Sequence, residues 1–173
     1  MIKNKLPIRY TGQHFTIDKV LIDDAIKIAK INESDTVIDI GAGKGFLTVH
    51  LVRQCTNLIA IENDKSLLSI LKNKFSNNTN VKIIDCDFRC YTIPKRNFKV
   101  VSNIPFRITS EILKSLMFDS VEHFMGGSLI MQLEPVQKLF SKKVFKKFAD
   151  NKFFSIFAVP NREMEERRRR CKD

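Results

Sequence analysis

The sequence predicts an α/β protein with a mostly parallel sheet and flanking helices. Three observations carry that expectation. Val37-Ile38-Asp39-Ile40 is a short apolar run followed at once by Gly41-Ala42-Gly43-Lys44-Gly45-Phe46. That spells a buried strand, a glycine turn and a helix start. Strand-like runs then alternate with helical ones, which implies right-handed crossovers between parallel strands. Finally, Glu62, Asp87 and Asn103 fall at or just beyond three strand ends, where ligands gather in such sheets.

Taken in order, residues 16–30 read as a helix, with Ile17, Val20, Leu21, Ala25, Ile28 and Ala29 at helical spacing. Thr36 to Ile40 is the first strand. Gly45 to Gln54 is a helix with Phe46, Leu47 and Leu51 on one side. Asn57 to Ile61 is a second strand, ending at Glu62. Ser66 to Phe75 is a helix that Ser66 can cap. Ser76-Asn77-Asn78-Thr79-Asn80 is a turn. Val81 to Ile84 and Lys99 to Ser102 are the third and fourth strands, and Thr109 to Met117 is a helix. Gly126-Gly127 is expected to break the chain before a fifth strand, Ser128 to Leu133.

With 173 residues, the chain can build one ordinary core. Its 43% hydrophobic and 28% charged residues argue against disorder. The net charge of +11 favours a polyanionic partner. From Phe140 onward there are eleven Lys/Arg against five Asp/Glu, so the last fifth carries over half of the excess. The four cysteines form no Cys-x-x-Cys pair and read as reduced cytoplasmic thiols. Lys3 and Lys5 have no apolar run behind them, which is not the pattern of a signal peptide. No stretch approaches a membrane span. The three histidines are scattered, so no metal site is expected.

The glycine loop lets the backbone approach a ligand without side chains in the way. It is not a phosphate-binding P-loop, because Gly45, not Ser or Thr, follows Lys44. It also departs from the dinucleotide fingerprint, which wants Gly or Ala where Phe46 stands. Glu62, twenty-one residues after Gly41, is placed to accept ribose hydroxyls, although a surface glutamate would be spelled the same way. Asp87 is placed to accept from an adenine amino group; a plain loop aspartate fits its spacing almost as well.

Asn103-Ile104-Pro105-Phe106 is more specific. An aromatic amine is a poor nucleophile because its lone pair is delocalised into the ring. An asparagine carbonyl and a nearby backbone carbonyl can accept its two hydrogens and turn the lone pair toward an electrophile. Pro105 stiffens the turn, and Phe106 offers a stacking face to an extruded base. Read alone this is a common strand-end turn; behind a glycine loop and two strand-end acids it reads as a clamp. Gln13, His14 and Thr16 precede the first helix and are placed either to cover a cofactor or, for Thr16, to cap that helix. Lys142, Lys143, Lys146 and Lys147, interleaved with Phe140, Phe145 and Phe148, suit RNA contact or an amphipathic helix equally.

The chain resembles the adenine N6-dimethyltransferases of ribosomal RNA. Within them it is similar to the Erm enzymes that give macrolide, lincosamide and streptogramin B resistance. The residues that carry the resemblance are Thr11-Gly12-Gln13-His14-Phe15, Asp39 to Gly45, Glu62, Asp87 and Ser102 to Phe106. It implies a Rossmann-like class I methyltransferase that uses S-adenosylmethionine, acts on an adenine of 23S rRNA and needs no metal. It further implies a cofactor lined by Gln13, His14, Thr16, Gly41, Gly43 and Asn103, with Glu62 on the ribose and Asp87 on the adenine. Asn103, with Ile104, Pro105 and Phe106, would hold the target base. The family commonly has Tyr where this chain has Phe106, so stacking survives and the hydroxyl is gone. The family also continues into a closing β-hairpin and a small helical domain. The sequence after about Lys143 does not resemble that continuation. It reads as a catalytic unit over 1–143 and a basic, partly disordered tail over 144–173, truncated or frame-shifted, so that the donor pocket is expected to persist while rRNA methylation is impaired. The residues 153–159 are expected to supply one replacement strand, and the edge left open implies self-association where the intact family is monomeric. A housekeeping 16S rRNA dimethyltransferase and a non-catalytic RNA-binding remnant stay open as alternatives.

Overall fold

The computed structural model describes residues 19–120, 122–132 and 154–159, leaving aside a few side chains such as that of Phe106. The described strands are β1 (Thr36–Ile40), β2 (Asn57–Glu62), β3 (Val81–Asp85), β4 (Phe98–Asn103), β5 (Phe124–Gln132) and β6 (Phe154–Val159). The helices are α1 (Lys19–Ala29), α2 (Thr48–Leu51), α3 (Lys65–Lys74) and α4 (Thr109–Lys114). A π-helical turn, Ser115–Asp119, continues α4. The strands form one sheet in the order β3-β2-β1-β4-β5-β6, and every described pairing is parallel.

Period-two alternation explains why helices cover both faces. In β1, Val37 packs with Ile22 and Ala29 of α1 and Leu51 of α2. Its neighbours Ile38 and Ile40 point the other way, onto Ile112 and Leu113 of α4. Ala60 of β2 lies against Leu71 of α3 and Phe75. A strand buried on both faces reads as a continuous apolar run, and all five residues of β1 are buried.

Polar ties fix the helices to the sheet. Lys99 of β4 donates to the Lys30 carbonyl at 2.6 Å and pairs with Asp35 at 2.8 Å, which anchors the end of α1 to the base of β1. The buried Ser128 hydroxyl donates to the Ala25 carbonyl of α1 at 2.8 Å.

Several expectations shift. The second helix starts at Thr48, three residues later than expected, because Gly45 has φ +73° and cannot open a helix. Asp64, not Ser66, caps α3: its carboxylate accepts from the Ser66 and Leu67 amides at 2.8 and 3.2 Å. Gly126-Gly127 does not break the chain but lies inside β5. The two glycines sit at φ +118° and +142°, and the register against β4 shifts between Phe98 and Val100. A bulge is the usual meaning of glycine inside a strand. The replacement strand forms as β6, parallel to β5 from Gly127↔Phe154 to Gln132↔Val159. The helix expected from residue 16 is described only from Lys19, and the basic segment around 142–147 lies outside the described residues.

Gly127 is the position where the sheet is least tolerant. A Cβ built there would stand 1.9 Å from the Val100 carbonyl oxygen, which is backbone and cannot swing away. Gly127→Ala is therefore expected to cost at least roughly 3 kcal/mol, or to prevent folding, in urea unfolding followed by circular dichroism. Unfolding at the wild-type midpoint would show that β4 and β5 are not packed this closely.

Candidate active site

The strand order reverses between β1 and β4, since β1 leads to β2 on one side and β3 crosses over to β4 on the other. Ligands bind outside the carboxyl ends of strands at such a switch point. Here the two strands pair only through Val37↔Lys99 and Ile38↔Val100. Above that, the buried Ser102 hydroxyl donates to the Ile40 carbonyl at 2.6 Å and accepts from the Ile40 amide at 3.1 Å. It stands in for the missing ladder and holds the crevice at a fixed width.

The glycine loop begins at that crevice. The Gly41 and Ala42 amides both donate to the Ile61 carbonyl, at 2.8 and 3.0 Å, so the loop is pulled over β2. Gly41, Gly43 and Gly45 all have positive φ, at +71°, +59° and +73°. A Cβ on Gly41 would lie 2.6 Å from Cγ of Pro105, so the glycine loop and the Asn103–Phe106 turn are in direct contact. Among the described residues, the same Cβ at Gly43 would meet nothing nearer than the Gly41 oxygen at 4.0 Å. The loop is thus closed on the Pro105 side and open above Gly43, which is the shape of a cradle.

Glu62 is buried at the end of β2. Its Oε2 accepts from the Gly43 amide at 2.8 Å, and its Oε1 accepts from the Asn63 and Asp64 amides at 2.8 and 2.9 Å. A carboxylate has about four acceptor positions, so roughly one remains on Oε2 for a ligand hydroxyl. Glu62 builds the loop.

Asp87 caps the short turn after β3. Its Oδ1 accepts from the Arg89 amide and Nε at 2.9 and 3.0 Å, and Oδ2 from a terminal guanidinium nitrogen at 2.7 Å. The side-chain and backbone hydrogen bonds from Arg89 hold the carboxyl at about 2. Oδ2 carries one hydrogen bond and keeps acceptor capacity.

Asn103 ends β4 half-buried, and among the described residues its side-chain amide has no hydrogen-bond partner. The following Ile104 is buried and donates its amide to the Ile130 carbonyl at 3.0 Å. Pro105 opens the helical turn over Phe106–Ile108, and its carbonyl accepts from Thr109 at 3.2 Å. The Asn103 amide is therefore held on a rigid turn with its hydrogen-bonding capacity free.

Asp39 is an acid that the sequence reading left without a task. It is 1% exposed, and its Oδ2 accepts from the Thr48 hydroxyl at 2.8 Å. Burial pushes its carboxyl up to about 7, with the Glu62 charge adding to the rise and the hydroxyls of Thr48 and Ser102 opposing it. An aspartate inside the apolar run Val37–Ile40 was the signal for it in the sequence.

Gln13, His14 and Thr16 lie outside the described residues, as does the side chain of Phe106. Among the described residues no group of three or more His, Cys, Asp or Glu is placed to hold a metal, and no helix is long and apolar enough to cross a membrane. A separate hollow of about 590 Å³ lies between the turn after β3 and α4, lined by Phe88, Tyr91 and Glu111 among others. Neither the glycine loop nor Asn103 borders it, so the convergent polar groups define the site and not the hollow.

The sequence profile of the family described as "Ribosomal RNA adenine dimethylase" matches residues 4–154. The chain belongs to the ribosomal RNA adenine dimethylase family. A Bacteroides fragilis member named rRNA adenine N-6-methyltransferase is 60% identical over 148 residues, covering 86% of this chain and 56% of that protein. A Methanopyrus kandleri member named probable ribosomal RNA small subunit methyltransferase A is 37% identical, covering 64% of this chain and 40% of that one. The crystal structure of the 23S rRNA methyltransferase ErmE superposes with a TM-score of 0.64 at 26% identity, over 72% of this chain and 50% of that one. The chain spans about half the length of the curated relatives it matches. The dimethylase family match reaches into β6, which begins at Phe154.

Two outcomes follow from the acids of this dimethylase-family site. Asp39 ionises near 3.8 when unfolded and near 7 when folded, so its contribution to stability is full below pH 4 and is lost as pH rises toward 7. The loss is on the order of 1.4 kcal/mol per pH unit across that window. Asp39→Asn should be more stable than the parent above pH 7, with the gap closing toward pH 4 in urea titrations. A gap that does not change with pH would mean that Asp39 ionises normally. Glu62→Ala leaves three backbone amides without their acceptor, including that of Gly43, and should cost about 1–3 kcal/mol in the same assay. A neutral effect would show that the loop does not hang on this carboxylate.

Proposed function

We propose that this chain carries the catalytic unit of an S-adenosylmethionine-dependent rRNA adenine N6-methyltransferase, with residues 1–143 holding the donor and base sites. The observation that carries the reading is the contact between Gly41 and Pro105, which sets the cofactor cradle directly against the Asn103 clamp. A donor methyl and an acceptor nitrogen must meet in line within a few ångströms, and two motifs sharing one crevice satisfy that.

The residues fit the donor. The open space above Gly43 admits the nucleoside, Glu62 keeps one acceptor position for a ribose hydroxyl, and Asp87 keeps capacity on Oδ2 for an adenine amine. Asp39 and Glu62 are acids with positive charge on a sulfonium donor as a natural complement. Bound there, S-adenosylmethionine supplies an already activated methyl group. What remains for the protein is orientation. The Asn103 side-chain carbonyl accepts one hydrogen of the adenine amine, and a backbone carbonyl of the turn after it accepts the other. The nitrogen lone pair is then directed at the methyl, which favours the tetrahedral nitrogen of the transition state. Phe106 would stack on the extruded base. The methylated nitrogen is cationic and loses its proton without a strong base.

We further propose 23S rRNA as the substrate, with macrolide, lincosamide and streptogramin B resistance as its consequence in a cytoplasmic setting. The 60% identity to the Bacteroides fragilis rRNA adenine N-6-methyltransferase supports this over the small-subunit branch, whose members match at 37% and 43%. The likeness to ErmE points the same way. The small-subunit reading keeps the same site chemistry and differs only in the RNA.

The test is transfer of labelled methyl from S-adenosylmethionine to protein-free 23S and 16S rRNA, with the modified base mapped. Any label transferred is expected on one adenine N6 of 23S rRNA, at a rate that the unmatched tail lowers. Label confined to 16S rRNA would move the chain to the small-subunit branch, and label on neither would remove the activity from it. In whatever context transfer is seen, Asn103→Ala should lower the rate on the order of 10²–10³-fold and leave donor affinity nearly unchanged. Normal transfer by the variant would clear Asn103 of the clamp role.

A further inference from the structure

The hollow of about 590 Å³ has two walls: the connection from β3 to β4, and α4 with the π-helical turn that continues it. On the second wall Glu111, Lys114 and Ser115 stand three and four residues apart, so they share one helix face. Ile112 and Leu113 carry the other face of α4 into the core. The Ser115–Asp119 turn is wider than an α-helical one, a local form that recurs at functional sites. Both of its ends, Ser115 and Asp119, border the hollow. On the first wall Tyr91 is half-buried against the core and still borders the hollow, so its ring is held in place. The hollow meets the site described above at two points. Arg89 lines it and also grips Asp87. α4 begins directly after the turn over Phe106–Ile108, and Glu111 is five residues beyond Phe106. That is a step of roughly 7–10 Å along the helical path.

The charges on the walls are mixed. Arg89 is answered by Asp87 at 2.7 Å. Lys95, Lys114 and Asp119 are exposed, and among the described residues none has a hydrogen-bond or ion-pair partner. Cations alone would suit any polyanion. Two lysines, an uncommitted carboxylate and a fixed aromatic ring suit a narrower ligand, a nucleotide. Its phosphate meets the lysines, its base lies against Tyr91, and an exocyclic amine on that base donates to Asp119. We propose that the hollow seats one ribonucleotide of the substrate RNA, a near neighbour of the target adenine, and prefers a base that carries an exocyclic amine. The inference rests on the reading that RNA is the substrate and that its adenine lies at the Asn103 clamp. Unstacked single-stranded bases can be splayed apart, so one base enters the clamp while a neighbour enters the hollow. Uracil presents a carbonyl oxygen where cytosine presents its amine. A carboxylate therefore repels the first and accepts from the second.

The experiment is fluorescence anisotropy of the full chain with labelled oligouridylates that carry one adenosine. A single cytidine is placed in turn at each position near the adenosine, and every titration is repeated over a range of salt. The parent is compared with Tyr91→Ala, Tyr91→Phe, Lys95→Gln and Asp119→Ala, and S-adenosylhomocysteine affinity is measured for each by calorimetry. In the parent, cytidine at one position is expected to bind about fivefold tighter than uridine there. Asp119→Ala should erase that preference. Tyr91→Ala should weaken RNA binding about tenfold, while Tyr91→Phe follows the parent. Lys95→Gln should lower the slope of log affinity against log salt by about 0.7, one phosphate contact on a single strand. Affinity for S-adenosylhomocysteine should stay the same throughout. Parent-like RNA affinity, base preference and salt slope in the variants would overturn the proposal. So would a parallel loss of S-adenosylhomocysteine binding in Tyr91→Ala, which would mean that the ring only supports the fold. Cytidine monophosphate binding as tightly as the oligomer would assign the hollow to a free nucleotide and overturn the RNA assignment. If Tyr91→Ala does not fold, the exposed positions decide: an unchanged salt slope in Lys95→Gln together with an unchanged preference in Asp119→Ala overturns the proposal. A parent that binds S-adenosylhomocysteine but no RNA would instead overturn the reading of the substrate, and the subsite with it.

Discussion

Past Ile38 the two central strands stop pairing, and the Ser102 hydroxyl set on the Ile40 backbone keeps them at a fixed separation. A hydroxyl does this where an apolar side chain would leave the Ile40 amide and carbonyl buried and unpaired, at a cost of about 1–3 kcal/mol each. Gly41 follows Ile40, and Asn103 follows Ser102. One side-chain bridge therefore sets the spacing of the two motifs, and the Pro105 ring against Gly41 is the result at the next level up. Loss of the Cβ at Gly41 permits that contact, since any side chain there would meet the ring at 2.6 Å.

The electrostatics follow from the same crowding. Two acids, Asp39 and Glu62, come to the top of β1 and β2, and they are treated oppositely. Glu62 accepts three backbone amides and is built into the loop. Asp39 has one hydroxyl donor and a buried setting, so it resists ionisation. Asp87 stands outside, held strongly acidic by Arg89. Asp39 and Asp87 read alike in the sequence, yet burial raises the proton affinity of the one and the Arg89 hydrogen bonds lower that of the other.

The far edge of the sheet obeys a different constraint. β5 needs a neighbour, and β6 supplies it in parallel over six residues. Glycine at 126 and 127 lets β5 bulge against β4 in a conformation that other residues rarely adopt. In sequence a Gly-Gly pair spells a chain break, because the same freedom serves a turn and a bulge. Only the backbone already lying alongside, at Val100, decides between them.

The sequence by itself determined the alternation of strands and helices, the bounds of β1 and the motifs at the strand ends. These depend on local patterning: apolar runs buried on both faces and side chains repeating at helical spacing. It also marked Gly41, Glu62, Asp87 and Asn103 as the residues to follow, because their places relative to strand ends are a matter of chain order. Tertiary structure decided what those residues touch. The Gly41–Pro105 contact spans sixty-four residues, the Ser102 bridge sixty-two and the Thr48–Asp39 bond one turn of loop. Spacing along a chain carries no distance across a crevice, so none of these could be read from it. The partners of Glu62 and Asp87 are backbone amides and a neighbouring arginine, groups that exist in every sequence and acquire direction only once the chain is folded.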